Sequence, residues 1–486
     1  MTEPKLRFPK EIKPNPADLA GGRYGTADTV RVFGEERTME LQLSVQGISS
    51  LVLSRLHPDF VPPEEAQIIY ERANLSHIDP DRIREIEART GHDGIAINTS
   101  IEEVVPENCR PHINKIKTTA DTTQPARALQ LKEGLEIIAG TVENVRDITI
   151  ERALAWRDVI SMDQSHLIDA LPGVAGRPFA FYAEMLQSSL ELLKYTYDHS
   201  IMGKWADATG NHHQATASGV NGIALEDEFC RELKIGHMIA PAQIPGLEFE
   251  ADILYVLARV GGTAGNLANY IRRHKSSDVG LFWDANPKRR KGSGAMPHKD
   301  LYGGNPTAEE QTESFWRLMM GYLVVGMQNM EMDYARDLSS SANMRLILED
   351  GFKTLDHGLC RLADVIYWLD IRKERALERV ERTYGVTTSS RVLAHLTDPR
   401  ATDRPMSREA AHNLLGKLAT SAYEKGQPFL EVLSENEEIT SRIMSHKLVE
   451  LTEASTYIGE SKQLIDNVAN KCYQKKTLEV KCLKND

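Results

Sequence analysis

The sequence predicts an all-α protein built around long helices that pack as a bundle. Apolar residues recur at spacings of three and four over long segments, whereas stretches with strand-like period-two alternation are scarce. The chain has 486 residues, of which 41% are apolar and 26% charged, a composition that is ordinary for a soluble globular enzyme. A chain of this length exceeds one simple core, so we expect two or three domains.

Three apolar stripes identify the bundle helices. Each stripe keeps the narrow, heptad-like spacing with which one helix faces a neighbour along its whole length. The stripes comprise Ile253, Leu257, Val260, Ala264, Leu267 and Ile271; Phe315, Leu318, Tyr322 and Val325; and Phe352, Leu355, Leu359, Leu362, Ile366 and Leu369. Gly261 and Gly262 interrupt the first stripe, which indicates a bend or a close approach of two helices.

Breaks in these patterns predict three domains. Pro106 and Pro111 interrupt a polar stretch near residue 112, and the charged run 372–375 opens a new helical region after residue 371. We therefore predict an N-terminal, mainly helical domain over 1–112 and a central bundle domain over 113–371. A C-terminal helical domain over 372–486 completes the chain.

Charge and cysteine content exclude several functional classes. A net charge of −12 argues against a general nucleic-acid binder, which needs broad positive potential. No apolar run approaches the roughly 20 residues that cross a bilayer, and the first residues lack a signal-peptide core, so we expect a cytoplasmic protein without a membrane partner. Five scattered cysteines suggest neither disulfides nor a metal site, and His212-His213 lacks a third ligand at convincing spacing. We expect no metal.

A glycine-rich loop is the segment with the highest density of reactive groups. It runs over 291–306, and its glycines permit backbone angles that a Cβ would forbid. Ser293, His298 and Lys299 combine proton-transfer and anion-binding groups within it, which predicts a reactive lid between long helices. Glycine-rich loops with a serine and a lysine also occur as plain connections.

The ordered string within this loop resembles a family signature. Gly-Ser-x-x-Met-Pro-x-Lys, followed by Asn-Pro, is similar to the signature loop of the fumarase/aspartase superfamily, whose members eliminate fumarate or a similar acid from a succinyl group. The resemblance implies Ser293 as the base, assisted by Lys299, with no cofactor. Gly294 replaces the usual second serine, and five residues rather than one separate Lys299 from Asn305, which leaves the place of Asn305 open.

Elimination of an amine from a succinyl group also needs an acid for the departing nitrogen. His166, which we expect near a helix end, lies in a segment similar to the Thr-His-Gly-x-x-Ala-x-Pro element that carries the superfamily's proton-donating histidine. Ser165 replaces the threonine and Leu167 the glycine. Glu310 stands where related enzymes place the carboxylate that orients this histidine, a pairing that would raise the pKa of the imidazole.

Three further motifs resemble the adenylosuccinate lyase family. Thr90-Gly91-His92-Asp93 is similar to its Thr-x-His-Asp element, which makes His92 a second candidate acid. Residues 118–121 are similar to its Thr-Ser-x-Asp carboxylate cradle, with Thr118, Thr119 and Asp121 at the matching places. The string 336–345 resembles its phosphate-binding Arg-Asp-x-Ser-x-Ser-Ser-x-x-Arg element. The residues that this resemblance assigns to substrate are Arg23, Tyr24, Thr118, Thr119, Asp121, Gln243, Asn305, Arg336, Ser341 and Arg345.

These resemblances imply a three-domain homotetramer with a central bundle of long helices and active sites that several subunits share. The implied reaction releases fumarate from adenylosuccinate and from the succinylated imidazole-carboxamide ribonucleotide of purine synthesis. Three alternatives remain open at this point. A superfamily lyase for argininosuccinate or a carboxymuconate would share the loop without needing the phosphate arginines, and Gly294 with the altered histidine segment also fits an inactive binding homologue. The third alternative, a phosphate-binding regulatory module, leaves the loop unexplained.

Overall fold

A computed structural model describes residues 22–286 and 293–478 of the chain. The described residues are mostly helical, which confirms the all-α class. The helices before the bundle are α1 (Ala27–Val32), α2 (Glu35–Leu56), α3 (Pro63–Arg72), α4 (Pro80–Thr90), α5 (Asp93–Val104) and a 3-10 helix (Glu107–His112). The bundle comprises α6 (Ala120–Ala155), α7 (Arg177–His199), α8 (His213–Ala217), α9 (Gly222–Leu233), α10 (Glu248–His274), a 3-10 helix (Pro297–Tyr302), α11 (Thr307–Gln328) and α12 (Ser341–Trp368).

The chain after the bundle forms shorter helices. They are α13 (Lys373–Glu381), a 3-10 helix (Val386–Thr388), α14 (Ser389–Thr397), α15 (Arg408–Lys425), α16 (Phe429–Ser434), α17 (Glu437–Thr440), α18 (Ser445–Thr452), a 3-10 helix (Ala454–Thr456) and α19 (Ser461–Cys472). Helices α14 to α18 bury a small core of their own around Phe429 and Leu433. Helix α19 returns to the bundle, where Asp466 accepts two hydrogen bonds from Arg157 at 2.8 and 2.7 Å.

Two of the three predicted stripes are buried along their whole length. Every residue of the stripe on α10 and of the stripe on α12 is at most 3% exposed. Gly262 and Gly265 let α11 approach α10 closely, because a Cβ at either position would lie within 3.3 Å of the Trp316 side chain. The two glycines that interrupt the sequence pattern at 261 and 262 therefore lie at a close helix contact.

The stripe on α11 is only partly covered. Phe315 is buried, but Leu318 is 40% exposed. On another side of the same helix, Met320, Val324 and Met327 are 39%, 55% and 49% exposed. An apolar helix face that its own chain leaves in water is typical of a surface that packs against another protein.

The division into domains at 112 and 371 remains a prediction. A separate apolar core does lie among α2 to α5, around Ile83 and Ile101. However, α2 and α19, which belong to the first and last predicted domains, also pack against the bundle helix α6.

Short strands form three two-stranded ladders among the described residues. Strands β1 (Ile160–Ser165) and β2 (Ile168–Val174) are antiparallel, β3 (Met202–Gly203) and β4 (Gly236–His237) are parallel, and β5 (Phe282–Asp284) and β6 (Leu369–Ile371) are antiparallel. His166 and Leu167 form the turn between β1 and β2, both with positive φ. The expectation of a helix end at His166 is therefore wrong, because the segment folds as a hairpin with a tight turn.

No helix within the two described ranges is long and apolar enough to cross a membrane. Four cysteines, Cys109, Cys230, Cys360 and Cys472, are buried.

Candidate active site

Six of the predicted site residues meet in one cavity of about 550 Å³. We call it the arginine cavity, after Arg336 and Arg345, which line it. The cavity lies between α2, α5, α6 and α12. The predicted residues that line it are His92, Thr119, Gln243, Arg336, Ser341 and Arg345.

Cations and a helix N-terminus converge at one end of this cavity. Ser341 is the first residue of α12, Arg336 precedes the helix and Arg345 lies one turn inside it. Within the described part of the chain, neither guanidinium forms an ion pair with a carboxylate. Burial lowers the pKa of Arg336, with Arg127 and Arg345 acting in the same direction, while Asp337 and Glu250 raise it. Unpaired guanidinium groups at a helix N-terminus are a chemical fit to a phosphate group.

His92 enters the cavity because a left-handed residue ends the preceding helix. Gly91 ends α4 with a φ of 67°, and His92 then caps α5 through Nδ1, which accepts from the Ile95 amide at 3.4 Å. In the neutral ring this leaves the proton on Nε2. Gly94 allows α5 to lie against the Thr119 side chain, since a Cβ there would come within 2.7 Å of it. The local sequence therefore places the His92 imidazole beside the Thr119 hydroxyl.

Asp121 was predicted to contact substrate, but it does not line the cavity. Its carboxylate is fully buried beneath the Thr118–Thr119 turn, 2.5 Å from the Lys204 ammonium. It also accepts hydrogen bonds from the Thr118 amide at 2.8 Å and the Ala206 amide at 3.0 Å. A buried carboxylate needs such partners, so Asp121 holds the turn from below, while Thr119 lines the cavity.

Gln243 lines the cavity from the segment before α10. Its side-chain amide donates to the Ala208 carbonyl at 3.1 Å, and its backbone amide donates to the Ala335 carbonyl at 3.2 Å. The second contact ties this segment to the residue before Arg336, so Gln243 and Arg336 share one support.

A polar stripe at the start of α6 faces the same cavity, and the sequence motifs did not reveal it as a stripe. Thr119, Thr123, Arg127 and Gln130 all line it. Their spacings of four, four and three place them on one side of an otherwise buried helix. Arg127 is paired with Glu250 at 2.6 Å. This polar periodicity within an apolar segment is the signal that could have revealed them.

The reactive loop lies away from this cavity. Lys291 and Gly292 lie outside the described residues, and the remainder begins at Ser293. The half-buried Ser293 hydroxyl accepts from the backbone amides of Ala295 and Met296, at 3.3 and 3.1 Å. Two amide donors stabilise negative charge on an oxygen, which favours deprotonation of the serine.

The longer insertion between Lys299 and Asn305 folds into a compact turn. Pro297–Tyr302 forms a 3-10 helix, and Gly303 and Gly304 both adopt left-handed angles after it. The Lys299 ammonium consequently donates to the Asn305 side-chain oxygen at 2.9 Å. The lengthened loop still brings the lysine and the asparagine into direct contact.

His166 lies at a second cavity of about 710 Å³, beside the β1–β2 hairpin. The imidazole is exposed at the hairpin turn. Arg379 of α13 and Arg382, which directly follows this helix, hold the hairpin through Asp169, at 2.9 and 2.7 Å. Glu310 is exposed on α11 and forms no ion pair with His166 in the described chain. Within the described residues of one chain, Glu310 therefore does not orient His166 as predicted.

Arg23 and Tyr24 also lie apart from the arginine cavity. Arg23 is exposed, and the Tyr24 ring packs edge-on against Phe315 and His357, with centroids 5.2 and 5.4 Å apart. One chain therefore carries separate parts of the predicted site. They are the arginine cavity, the hairpin with His166, the loop with Ser293, and the Arg23–Tyr24 pair.

Metal-ligating side chains do not cluster within residues 22–286 and 293–478: no three His, Cys, Asp or Glu residues there are arranged to hold an ion. His212 lies 3.5 Å from Glu226, and burial lowers the pKa of its imidazole.

Two family models match the chain. A model described as lyase matches residues 37–321, more than half of the chain, and a model described as adenylosuccinate lyase C-terminus matches residues 385–468. The adenylosuccinate lyase of Methanocaldococcus jannaschii is 27% identical over 455 residues, covering 93% of this chain and 96% of the relative. That of Bacillus subtilis is 28% identical over 430 residues, covering 88% and 94%.

Solved structures share the fold. A fumarate lyase from Mesorhizobium sp. BNC1 superposes with a TM-score of 0.80 at 19% identity, over 93% of this chain and all of the other. The β-carboxy-cis,cis-muconate cycloisomerase of Acinetobacter calcoaceticus superposes with a TM-score of 0.77 at 18% identity, over 92% and 98%.

Proposed function

The chain belongs to the lyase family of the fumarase/aspartase superfamily, and on that premise we propose that it is a carbon–nitrogen lyase that splits adenylosuccinate into AMP and fumarate. The arginine cavity is the observation that carries this proposal. A dicarboxylate alone requires no phosphate site, whereas a succinylated nucleotide brings a phosphate and two carboxylates. Arg336, Ser341 and Arg345 supply the matching cations and hydroxyl at a helix N-terminus.

We assign the remaining binding groups by their chemistry. Thr118, Thr119 and Gln243 hold the succinyl carboxylates, because hydroxyl and amide donors suit carboxylate oxygens. Asp121 fixes the threonine turn from below. Asn305 binds substrate beside Lys299, and Arg23 with Tyr24 contacts the nucleotide.

The reaction transfers one proton away from carbon and one to nitrogen. Ser293 removes the proton next to a carboxylate, and the dianion that forms is stabilised by Lys299 and by backbone amides. Breakage of the carbon–nitrogen bond then yields fumarate, while an imidazole protonates the departing nitrogen. His166 and His92 are both candidates for that acid, with Glu310 as the carboxylate that orients His166. The succinylated imidazole-carboxamide ribonucleotide is the second substrate, in cytoplasmic purine synthesis.

A homotetramer with shared sites would reunite the separated parts. Two features support this proposal: the exposed apolar side of α11, and the distribution of predicted site residues over places that do not meet in one chain. In such an assembly the arginine cavity of one subunit would face the hairpin of a second and the loop of a third.

Ultraviolet monitoring of adenylosuccinate with the purified full-length protein tests the activity. We expect loss of substrate absorbance with matching release of fumarate, and in parallel reactions neither fumarate from argininosuccinate nor a lactone from carboxymuconate. Conversion of one of those two compounds, with no fumarate from adenylosuccinate, would overturn the proposal.

Subunit mixing tests the shared sites. Ser293→Ala and Arg345→Ala should each be inactive or weakened alone, and joint refolding should restore part of the activity, because some sites then receive both wild-type residues. Separately refolded variants mixed afterwards provide the control. A monomer by light scattering, or no recovery after joint refolding, would exclude shared sites.

A further inference from the structure

A buried lysine lies directly beneath the threonine turn of the arginine cavity. Lys117 precedes Thr118 in sequence and is only 6% exposed. Its ammonium donates to the Ser49 hydroxyl at 2.9 Å and, more weakly, to the Gln46 side-chain oxygen at 3.4 Å. It also lies over the rings of Trp205 and Phe229, 4.9 and 5.5 Å from their centroids. The ammonium therefore has a fixed position among polar and aromatic groups.

Lys117 forms no ion pair within the described residues. The charged groups that act on it are Asp121 and Lys204, and Asp121 is already paired with Lys204 at 2.5 Å. Behind that pair, Glu226 accepts from the Trp205 amide at 2.8 Å, and Asp207 accepts from the Gln214 amide at 2.9 Å. His212 lies next to Glu226. The groups contributed by α2, which are closest to Lys117, carry no charge.

Hydrogen bonds connect this lysine to the turn. The Gln46 amide that faces Lys117 donates to the Thr122 hydroxyl at 3.0 Å, in the first turn of α6. Thr118 is linked to the same turn through Asp121. Lys117 and the Thr118–Thr119 turn are thus held by hydrogen bonds to the same first turn of α6.

On the basis of the proposed function, we propose that Lys117 is a positioning residue whose buried positive charge acts through the Thr118–Thr119 turn to attract a carboxylate of the succinyl group. A charge inside the protein is poorly screened by solvent and acts on a ligand that it does not touch. Affinity for a dicarboxylate therefore depends on whether Lys117 carries its proton.

The direction of the pH dependence follows from the burial of the lysine. Burial lowers the pKa of Lys117 to about 7, with Lys204 lowering it further and Asp121 raising it. A bound anion favours the protonated form, so binding raises this pKa and takes up a proton in the window just above pH 7. Affinity is then highest below pH 7 and falls as the pH rises and Lys117 is deprotonated.

Calorimetric titration of the full-length protein with fumarate, from pH 6 to pH 8.5, tests the inference. Buffers with different ionisation enthalpies report the protons taken up on binding. We expect uptake near pH 7.5 in the wild type. Lys117→Met should remove this uptake and weaken fumarate binding roughly tenfold at pH 6, as expected for loss of one nearby charge. Equal affinity and equal uptake in both proteins would overturn the proposal, as would failure of the wild type to bind fumarate.

Two controls separate the charge of Lys117 from other effects. Lys115→Met removes a neighbouring lysine whose ammonium instead donates to the Phe60 carbonyl at 2.8 Å, and it should leave proton uptake unchanged. His92→Gln tests the imidazole of the same cavity. Proton uptake that disappears in His92→Gln and persists in Lys117→Met contradicts the assignment.

Lys117→Arg keeps the test valid if the methionine variant does not fold. Its guanidinium stays charged over the whole range, so fumarate affinity should become independent of pH. A wild-type pH dependence in Lys117→Arg would overturn the proposal. Fumarate results as expected, together with no cleavage of adenylosuccinate, would reject only the proposed function.

Discussion

The arginine cavity and the reactive loop differ in how completely one chain builds them. Helices with buried apolar sides surround the cavity, and hydrogen bonds from buried residues hold its threonine turn. Ser293 instead lies in a loop whose backbone makes mainly local hydrogen bonds, and His166 is exposed at a hairpin turn. The groups that we propose to bind anions are therefore preformed within one chain, whereas Ser293 and His166, which we propose for proton transfer, lie in a loop and at an exposed turn.

This difference has a physical basis. Guanidinium groups that must hold a phosphate gain affinity from a fixed position, because little ordering is then needed on binding. A base that removes a proton from carbon must instead be enclosed with the substrate, and a loop can close after the substrate has entered. If binding and proton transfer are separated in this way, substitutions in the arginine cavity should change affinity, and substitutions in the loop should change turnover.

Ser293→Ala should have the largest effect. Turnover of adenylosuccinate should fall about 10³-fold because the base is lost, while AMP affinity should stay the same because the arginine cavity is intact. Steady-state kinetics and AMP calorimetry measure the two quantities. Ser434→Ala, which removes a hydroxyl that only bonds to the Leu430 carbonyl, is the control. Turnover near the wild-type rate would remove Ser293 from the role of base.

Arg345→Ala should have an effect of intermediate size, and this effect should be on AMP binding and not on proton transfer. Loss of a charge-assisted hydrogen bond to phosphate costs about 1.5–3 kcal/mol, so AMP should bind roughly 10- to 100-fold more weakly. Arg336→Ala should behave in the same way. Arg400→Ala is the matched control, since Arg400 is exposed and pairs only with Asp398. Unchanged AMP affinity in Arg345→Ala would undo the phosphate assignment.

Gly294→Ser should have the smallest effect. Gly294 stands where the superfamily has a second serine, and a Cβ at this position would meet no atom of the described residues within 4 Å. We expect turnover within about threefold of the wild type, since a substitution in open space costs at most about 0.5 kcal/mol. A much larger gain in turnover would mean that the missing hydroxyl limits the reaction, and that the loop is less complete than its hydrogen bonds indicate.

Local patterns predicted much of the fold and part of the site. The spacing of apolar residues identified α10 and α12 correctly, because burial along a helix repeats at three and four residues whatever the surroundings. The motifs at 90–93 and 336–345 located residues that do line one cavity. The polar side of α6 was missed, although its spacing was visible in the sequence.

Other features depended on contacts between distant segments. Asp121 was expected to face substrate, but Lys204 lies beneath it and holds its carboxylate. His166 was expected near a helix end, but pairing of residues 160–165 with residues 168–174 places it at a hairpin turn. The place of Asn305 could not be predicted from the sequence. The 3-10 helix between the two residues returns the chain, so that the Lys299 ammonium donates to the Asn305 side-chain oxygen.

The helical class, the bundle stripes and the chemical types of the site residues can be read from the amino-acid sequence, because periodicity and residue chemistry are local properties. Packing between distant segments sets which of those residues share a cavity and which are held beneath it, and it buries Lys117 without an ion pair among the described residues. Burial and charge pairing depend on segments that lie far apart along the chain, and no local pattern records them.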